Sequence, residues 1–398
     1  MSAPFVPRAD EIVSPEAGTG RPTVLMTGGH AGLGLAGTQM FATRYGCDLI
    51  LAGRNAERVE RAAQRLRTET GARVEVLEMD LNSLASVRAV AAACKSMLRA
   101  GASDRGELAS IVCNAGGQFR GPVSYSADGY EETFAGNCLG HFLLTNLLLD
   151  SVATGGRIVW TASGTHDPDS MDGKTVGAAV EPDARALADE GRNGKPISGG
   201  RRYATSKLCT ILYAYEMDRR LRRAGTPALS IAYDPGFIPE TGMGRMAPPI
   251  FRSSAAKFVM RKIGVTMGQM PFSGEAIATL AADPAFADGS GTVRVSISNQ
   301  KTDAERGAVP RRSRTTREKR PSSGATRRSW CIWRPRSGHP GSVDDARTWG
   351  SRASAIRDAA SRDRRRGPSM RRSVPTTRRR CSREHRQRRA RVRRSCRP

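Results

Sequence analysis

The chain has 398 residues and a formal charge of +26, from 64 Lys plus Arg against 38 Asp plus Glu. Residues 301–398 hold 32 Lys plus Arg against 8 Asp plus Glu, leaving 32 against 30 for residues 1–300, so the basic character belongs to the tail and the chain as a whole is not read as a basic nucleic-acid binder. No apolar run approaches the roughly 18 residues of a membrane span, and the polar start Met1–Pro22 lacks a signal core and reads as a disordered lead, so a soluble cytoplasmic protein is expected.

The eight cysteines fit no metal-ligand spacing, so no metal is expected; Cys47, Cys94, Cys113, Cys138 and Cys209 read as reduced structural thiols. The apolar run Val24–Thr27 breaks into Gly28, Gly32 and Gly34 and resumes with Leu35 and Ala36, the pattern of a buried strand, a tight turn and the first turn of a helix. Glycines there tolerate unusual backbone angles and leave room for a pyrophosphate to reach the amides of a helix N-terminus. A plain glycine-rich turn is the alternative, because the spacing is looser than G-x-G-x-x-G.

Cys47–Asn55 reads as a second buried strand ending on Arg54. The residue at that place in a dinucleotide fold meets the adenosine ribose, and an arginine pairs with a 2′-phosphate, which favours NADP(H) while leaving NAD(H) open. Otherwise Arg54 is a solvated residue opening the helix Ala56–Arg67. Arg73–Leu81 alternates as a strand and carries Asp80 at its carboxyl edge, and Ser83 opens the next helix. Leu108–Gly116 is a fourth strand running into the small-residue turn Asn114-Ala115-Gly116.

The helix Gly129–Leu149 carries Asn137 among apolar residues, where an amide must be hydrogen-bonded; it is either a helix-bending residue or part of a proton path. His141, one turn on, is given no role. Gly156–Ser163 is a fifth strand that delivers hydroxyls to the same edge. In Tyr203-Ala204-Thr205-Ser206-Lys207, a helix whose buried stripe is Leu208, Ile211, Leu212 and Tyr215 puts Tyr203 and Lys207 one turn apart on one face. A phenol titrates near pH 10, about three units too high for ready exchange at neutrality, and a nearby ammonium lowers that value.

In order, Thr27-Gly28…Gly32…Gly34, Asn114-Ala115-Gly116, Asn137, Ser163, Tyr203…Lys207 and Asp234-Pro235-Gly236 resemble the short-chain dehydrogenase/reductase family across residues 23–298. The resemblance implies an α/β fold of Rossmann type, a single domain over residues 23–300 with a doubly wound, seven-stranded parallel sheet. It implies hydride transfer between NAD(P)(H) and a carbonyl, alcohol or activated double bond. Tyr203 would be the acid/base, Lys207 would lower its pKa and hold the nicotinamide ribose, Ser163 would bind the reacting oxygen, and Asn137 would support a relay water. Thr27, Gly28, Gly32, Leu33 and Gly34 would pass the pyrophosphate; Arg54, Asp80 and Leu81 would frame the adenosine; Asn114, Ala115 and Gly116 would line the cofactor, and Pro235 and Gly236 would adjoin the nicotinamide.

Asn137–Leu144, Ser206–Cys209 and Glu240–Met243 look most like the branch of retinol-dehydrogenase-like and protochlorophyllide-reductase-like enzymes. Phe237 stands where protochlorophyllide reductases have a cysteine, so hydride transfer in the dark is expected. The 39 residues between Ser163 and Tyr203 read as a loop excursion over the site. Phe237–Ser273, with Met243, Met246, Phe251, Phe258, Met260 and Met267, is either an adaptable wall for a bulky apolar substrate or simple packing.

Residues 301–398 contain thirty Arg, two Lys, no Tyr and no Phe, and are expected to be disordered. As a functional arm they would neutralise phosphates on nucleic acid; the composition also fits a GC-rich coding sequence read out of frame from near residue 295–305. The leading expectation is therefore an NADP(H)-dependent oxidoreductase with an apolar small-molecule substrate and an open oligomeric state. The alternative is a non-catalytic NAD(P)-sensing or interaction protein whose tail binds nucleic acid.

Overall fold

A computed structural model describes residues 20–118, 121–192, 194–242 and 249–284. Residues 1–19 of the expected lead, the tail 301–398, Met243 and Met246 lie outside the described residues; the end of the lead is held, Arg21 pairing with Asp48 at 2.8 Å and donating its backbone N–H to Asp104 at 2.9 Å.

The elements alternate as the apolar runs predict: β1 (Thr23–Thr27), α1 (Gly32–Thr43), β2 (Asp48–Gly53), α2 (Ala56–Thr70), β3 (Val74–Glu78), α3 (Leu84–Met97) and β4 (Leu108–Cys113). Then come α4 (residues 132–148), β5 (Val152–Thr161), two short helices α5 (Met171–Val176) and α6 (Ala184–Ala188), α7 (Gly199–Arg223), β6 (Leu229–Tyr233), α8 (Ser254–Lys262) and α9 (Met270–Ala282). All strand pairs are parallel, in the order β3-β2-β1-β4-β5-β6. The order reverses between β1 and β4, and the crevice outside the strand carboxyl ends at such a reversal is where ligands of open α/β sheets bind.

β1 and β2 are buried along their whole length, as strands covered by helices on both faces must be, whereas β3 alternates at the sheet's edge. Phe41, Leu49, Leu51, Val112, Val159 and Tyr233 knit strands and helices into one core with Ile277 and Leu280 of α9. Local chemistry sets the boundaries. Asn55 caps α2 by accepting the Arg58 N–H, and Gly71 ends it in the left-handed region. β3 stops before Asp80, shorter than expected, because Asp80 turns the chain: Asn82 N–H donates to its Oδ1 at 3.0 Å and Ser83 N–H to its carbonyl at 3.1 Å. Six strands occur among the described residues; the remainder of the span 23–298, where a seventh is expected, lies beyond them.

The excursion after Ser163 is tied down rather than loose. Glu131 N–H donates to Ala188 O (2.8 Å), the Tyr125 hydroxyl to Glu190 O (3.0 Å), and the Arg192 guanidinium lies 4.6 Å from the centre of the Tyr125 ring. At its return, Arg202 forms a buried ion pair with Glu131 at 3.1 Å and donates to Ile197 O and Gly121 O at 3.0 Å each.

Candidate active site

Thr27, the last residue of β1, organises the glycine loop. Its Oγ1 accepts the backbone N–H groups of Asn114 and Ala115, each at 3.0 Å, and the Asn114 side chain donates to the carbonyls of Thr27 (3.1 Å) and Gly28 (3.4 Å). Gly28 N–H reaches across to Ala52 O at 2.8 Å. Gly28 has φ +68°, and a Cβ on Gly34 would stand 2.1 Å from Gly28 O, so both positions need glycine for different reasons. α1 starts directly behind with no side-chain cap and no acid in its first turn. Its leading amides form a cradle of the kind that receives phosphate, so a dinucleotide fits the residues present.

At the carboxyl end of β2, Arg54 is exposed as expected and is followed by the α2 cap. Two neighbours escaped the sequence reading. A Cβ on Gly53 would lie 3.1 Å from His30 Cε1, so the imidazole packs over the strand end; burial, then the Arg58 charge, pushes its pKa down. His30 Nδ1 is buried without a hydrogen-bond partner among the described residues. The approach of His30 and Arg58 to this strand end leaves little trace in sequence because the loop and the second strand meet only in the fold. Asp80 and Leu81 lie at the end of β3, and Leu81 is packed under α4, where a Cβ on Gly140 would be 2.5 Å from Leu81 O.

Ser198 caps α7 by accepting the Arg201 N–H, which places Tyr203 and Lys207 in its first turns, both buried. Ser163, the second residue past β5, is near enough to Tyr203 to draw its pKa down, and its own Oγ accepts from the Thr165 hydroxyl at 3.1 Å. Lys207 Nζ donates to Thr161 O at 2.7 Å and sits 5.8 Å from the centre of the Tyr203 ring. Burial is the leading influence on both groups. It raises the Tyr203 pKa well above the phenol's usual value, with Ser163 pulling down and Asp234 pushing up, and it lowers that of Lys207 to about 8. The influences on the phenol are burial, Ser163 and Asp234; the expected downward pull of the Lys207 ammonium is not among them, and burial decides the direction.

Asn137 lies in a π turn, Ala135–Leu139, inside α4. Its Oδ1 accepts Gly117 N–H and its Nδ2 donates to Gly117 O and to Ser206 Oγ, all at 2.9 Å. The amide therefore marks the helix irregularity and pins the exit of β4 to α7. Gly116 stands against it, a Cβ there falling 2.8 Å from Asn137 Oδ1.

His141 was given no role in sequence, yet it bridges the two halves of the site. Its Nδ1 lies 3.2 Å from Asn137 O, which can only accept, so Nδ1 carries the proton and Nε2 accepts from the Thr27 hydroxyl at 2.9 Å. Burial pushes its pKa down to about 4, keeping it neutral.

Pro235 and Gly236 follow β6. Gly236 N–H donates to Asp234 Oδ1 at 2.9 Å, and the next residue exchanges backbone bonds with Thr266 (2.7 Å) and Gly268 (2.9 Å). Asp172 of the excursion accepts Thr266 N–H, and burial, with Asp234 nearby, pushes its pKa up. Of the supposed apolar wall, Met267 is buried opposite Phe237, whereas Phe258 faces outward, so these residues do not form one continuous lining. Among the described residues no group of three or more His, Cys, Asp or Glu could hold a metal ion, and no helix is long and apolar enough to cross a membrane.

Parallel topology, a glycine cradle at the first strand and a Tyr/Lys/Ser cluster on the same sheet edge define a Rossmann-type protein with a dehydrogenase-like site. The family model described as short chain dehydrogenase matches residues 22–173, and the chain belongs to that family. Protochlorophyllide reductase A of Oryza sativa subsp. japonica is 30% identical over 303 residues, 70% of this chain and 76% of that protein. Retinol dehydrogenase 13 of Homo sapiens is 33% identical over 226 residues, 56% of this chain and 60% of that protein. Both lie in the branch to which the Asn137–Leu144 stretch pointed. The chain spans about three fifths of the length of several curated relatives it matches. Among solved structures, a short-chain dehydrogenase/reductase of Serratia marcescens shares the fold, with a TM-score of 0.50 at 21% identity over 70% of this chain and 96% of that one.

Proposed function

We propose that this chain is an NADP(H)-dependent oxidoreductase that transfers a hydride to or from a carbonyl, alcohol or activated double bond of a bulky, apolar small molecule. The observation that carries this reading is the buried Tyr203 with Ser163 beside it and Lys207 one turn on, next to the glycine cradle. Bound nicotinamide supplies or accepts the hydride. Tyr203 gives or takes the proton at the substrate oxygen, and Ser163 holds that oxygen in line with the phenol. Lys207, charged below about pH 8, favours the phenolate. Thr27, Gly28, Gly32, Leu33 and Gly34 hold the pyrophosphate, Asp80 and Leu81 frame the adenosine, Asn114 to Gly116 line the cofactor, and Pro235 and Gly236 adjoin the nicotinamide. Arg54, exposed at the strand end that His30 also covers, supports recognition of a 2′-phosphate and hence NADP(H) over NAD(H).

The test is a titration with NADPH and NADH by nicotinamide fluorescence, followed by turnover of a panel of apolar ketones, aldehydes and enones. Tyr203→Phe is expected to lower kcat roughly 100- to 10,000-fold with nucleotide affinity unchanged, as loss of a positioned proton donor does. Arg54→Ser is expected to weaken NADPH about ten-fold or more and to leave NADH untouched. Turnover that survives Tyr203→Phe would remove the assigned acid/base.

A further inference from the structure

Four of the five large apolar side chains exposed among the described residues lie on one short stretch: Ile250, Phe258, Val259 and Ile263, at 68, 61, 55 and 50% exposure. α8 has no buried residue. Ala255, Val259 and Ile263 recur every fourth position with Phe258 beside them, which makes a single apolar stripe on a helix that turns it outward. The rim is basic: Arg252, Lys257, Arg261 and Lys262 fall between residues 249 and 274, and no Asp or Glu does. Lys262 Nζ stands 5.5 Å from the centre of the Phe258 ring, and Lys257 pairs with Glu240.

An apolar stripe whose rim carries four cations, one of them paired with Glu240, matches one occupant in particular. A second copy related by a two-fold axis would set these cations against themselves, and residues 301–398, with 32 cations against 8 acids, carry the same sign. Anionic lipid headgroups neutralise the rim while the acyl region takes the apolar side chains. We propose that α8 and Ile250 form a docking surface for an anionic membrane. The helix lies in the interface without crossing it. The chain runs from α8 into residues 264–268, which are hydrogen-bonded to Phe237 next to Gly236, so the bilayer meets the molecule at the rim of the site. On the apolar substrate class proposed above, that substrate passes from the acyl region without crossing water.

The test uses the full chain, bearing Phe258→Trp or, on exposed α2, Glu57→Trp, with vesicles of equal parts phosphatidylcholine and phosphatidylglycerol whose acyl chains are brominated. Emission of the Phe258→Trp protein is expected to be quenched several-fold more than that of the parent, and Glu57→Trp no more than the parent, whose own tryptophans include three in the tail. The signal is expected to fall in vesicles of phosphatidylcholine alone. Thermal melts followed by circular dichroism confirm that both variants are folded, and the readout does not depend on turnover or nucleotide. Equal quenching at positions 258 and 57 would mean that the tail alone tethers the protein, and would overturn the proposal. So would quenching of Phe258→Trp no greater than the parent's, or a Phe258→Glu/Ile263→Glu variant that turns a dimer into a monomer with lipid absent, which would assign the face to a second copy.

Discussion

His141 shows how much one side chain contributes when its two nitrogens have fixed and different tasks. It joins the hydroxyl that anchors the glycine loop to the carbonyl inside the π turn, and it does so only as the neutral Nδ1–H tautomer. Its folded pKa, about 4, lies below the unfolded value near 6.5. Below pH 6.5 the unfolded chain therefore binds a proton that the folded chain refuses. The stability this histidine contributes is present in full above pH 6.5 and is lost as pH falls toward 4, by about 2 kcal/mol at pH 5. His141→Gln is expected to be less stable at pH 7 yet to lose less on going from pH 7 to pH 5, as read from urea midpoints of both proteins. A parallel decline in the two would show that the imidazole does not titrate as described.

Among the elements, the return of the excursion, α7 and the start of α4 meet at a buried ion pair. Arg202 meets Glu131 and two carbonyls, and Glu131 in turn accepts the Phe134 N–H at the start of α4. Removing one partner of such a pair leaves an uncompensated buried charge. Arg202→Met is accordingly expected to cost about 3–5 kcal/mol in a denaturant titration, and the double change Arg202→Met/Glu131→Gln less than the sum of the two single changes. This junction was not legible in sequence. Periods of two and of three to four residues announced β1 to β5 and α7, and the motifs at their ends placed Tyr203, Lys207 and Ser163. Glu131 and Arg202, however, are 71 positions apart with no pattern linking them. The π turn was half legible, as an amide out of place in an apolar helix. Asp80 was found at the right edge, but its turn made β3 shorter than the alternation suggested. His30 and Arg58 were missed because their neighbourhood is created by β1 and β2 lying side by side, which the apolar pattern requires but does not register residue by residue.

At the scale of the whole molecule, one parallel sheet brings groups from six loops and two helices to a single edge, while the core behind it contains polar atoms chiefly where they are paired. Within that core are five cysteines, Cys47, Cys94, Cys113, Cys138 and Cys209, all free and all buried, with burial pushing the thiols of Cys47 and Cys94 up to about 12 and those of Cys113 and Cys138 upward as well. Reaction with an alkylating reagent needs the thiolate and access to it, so each of these sulfurs stays silent until its own neighbourhood opens. They are distributed over the approach to β2, α3, β4, α4 and α7, which makes them five clocks in one chain. In a time course of alkylation read by peptide mass spectrometry, Cys94 on the outer helix α3 is expected to react before Cys113 in the central strand β4. If all five advance together, the domain opens only as a unit; if they spread out in time, their order records which layers come apart while the sheet still holds.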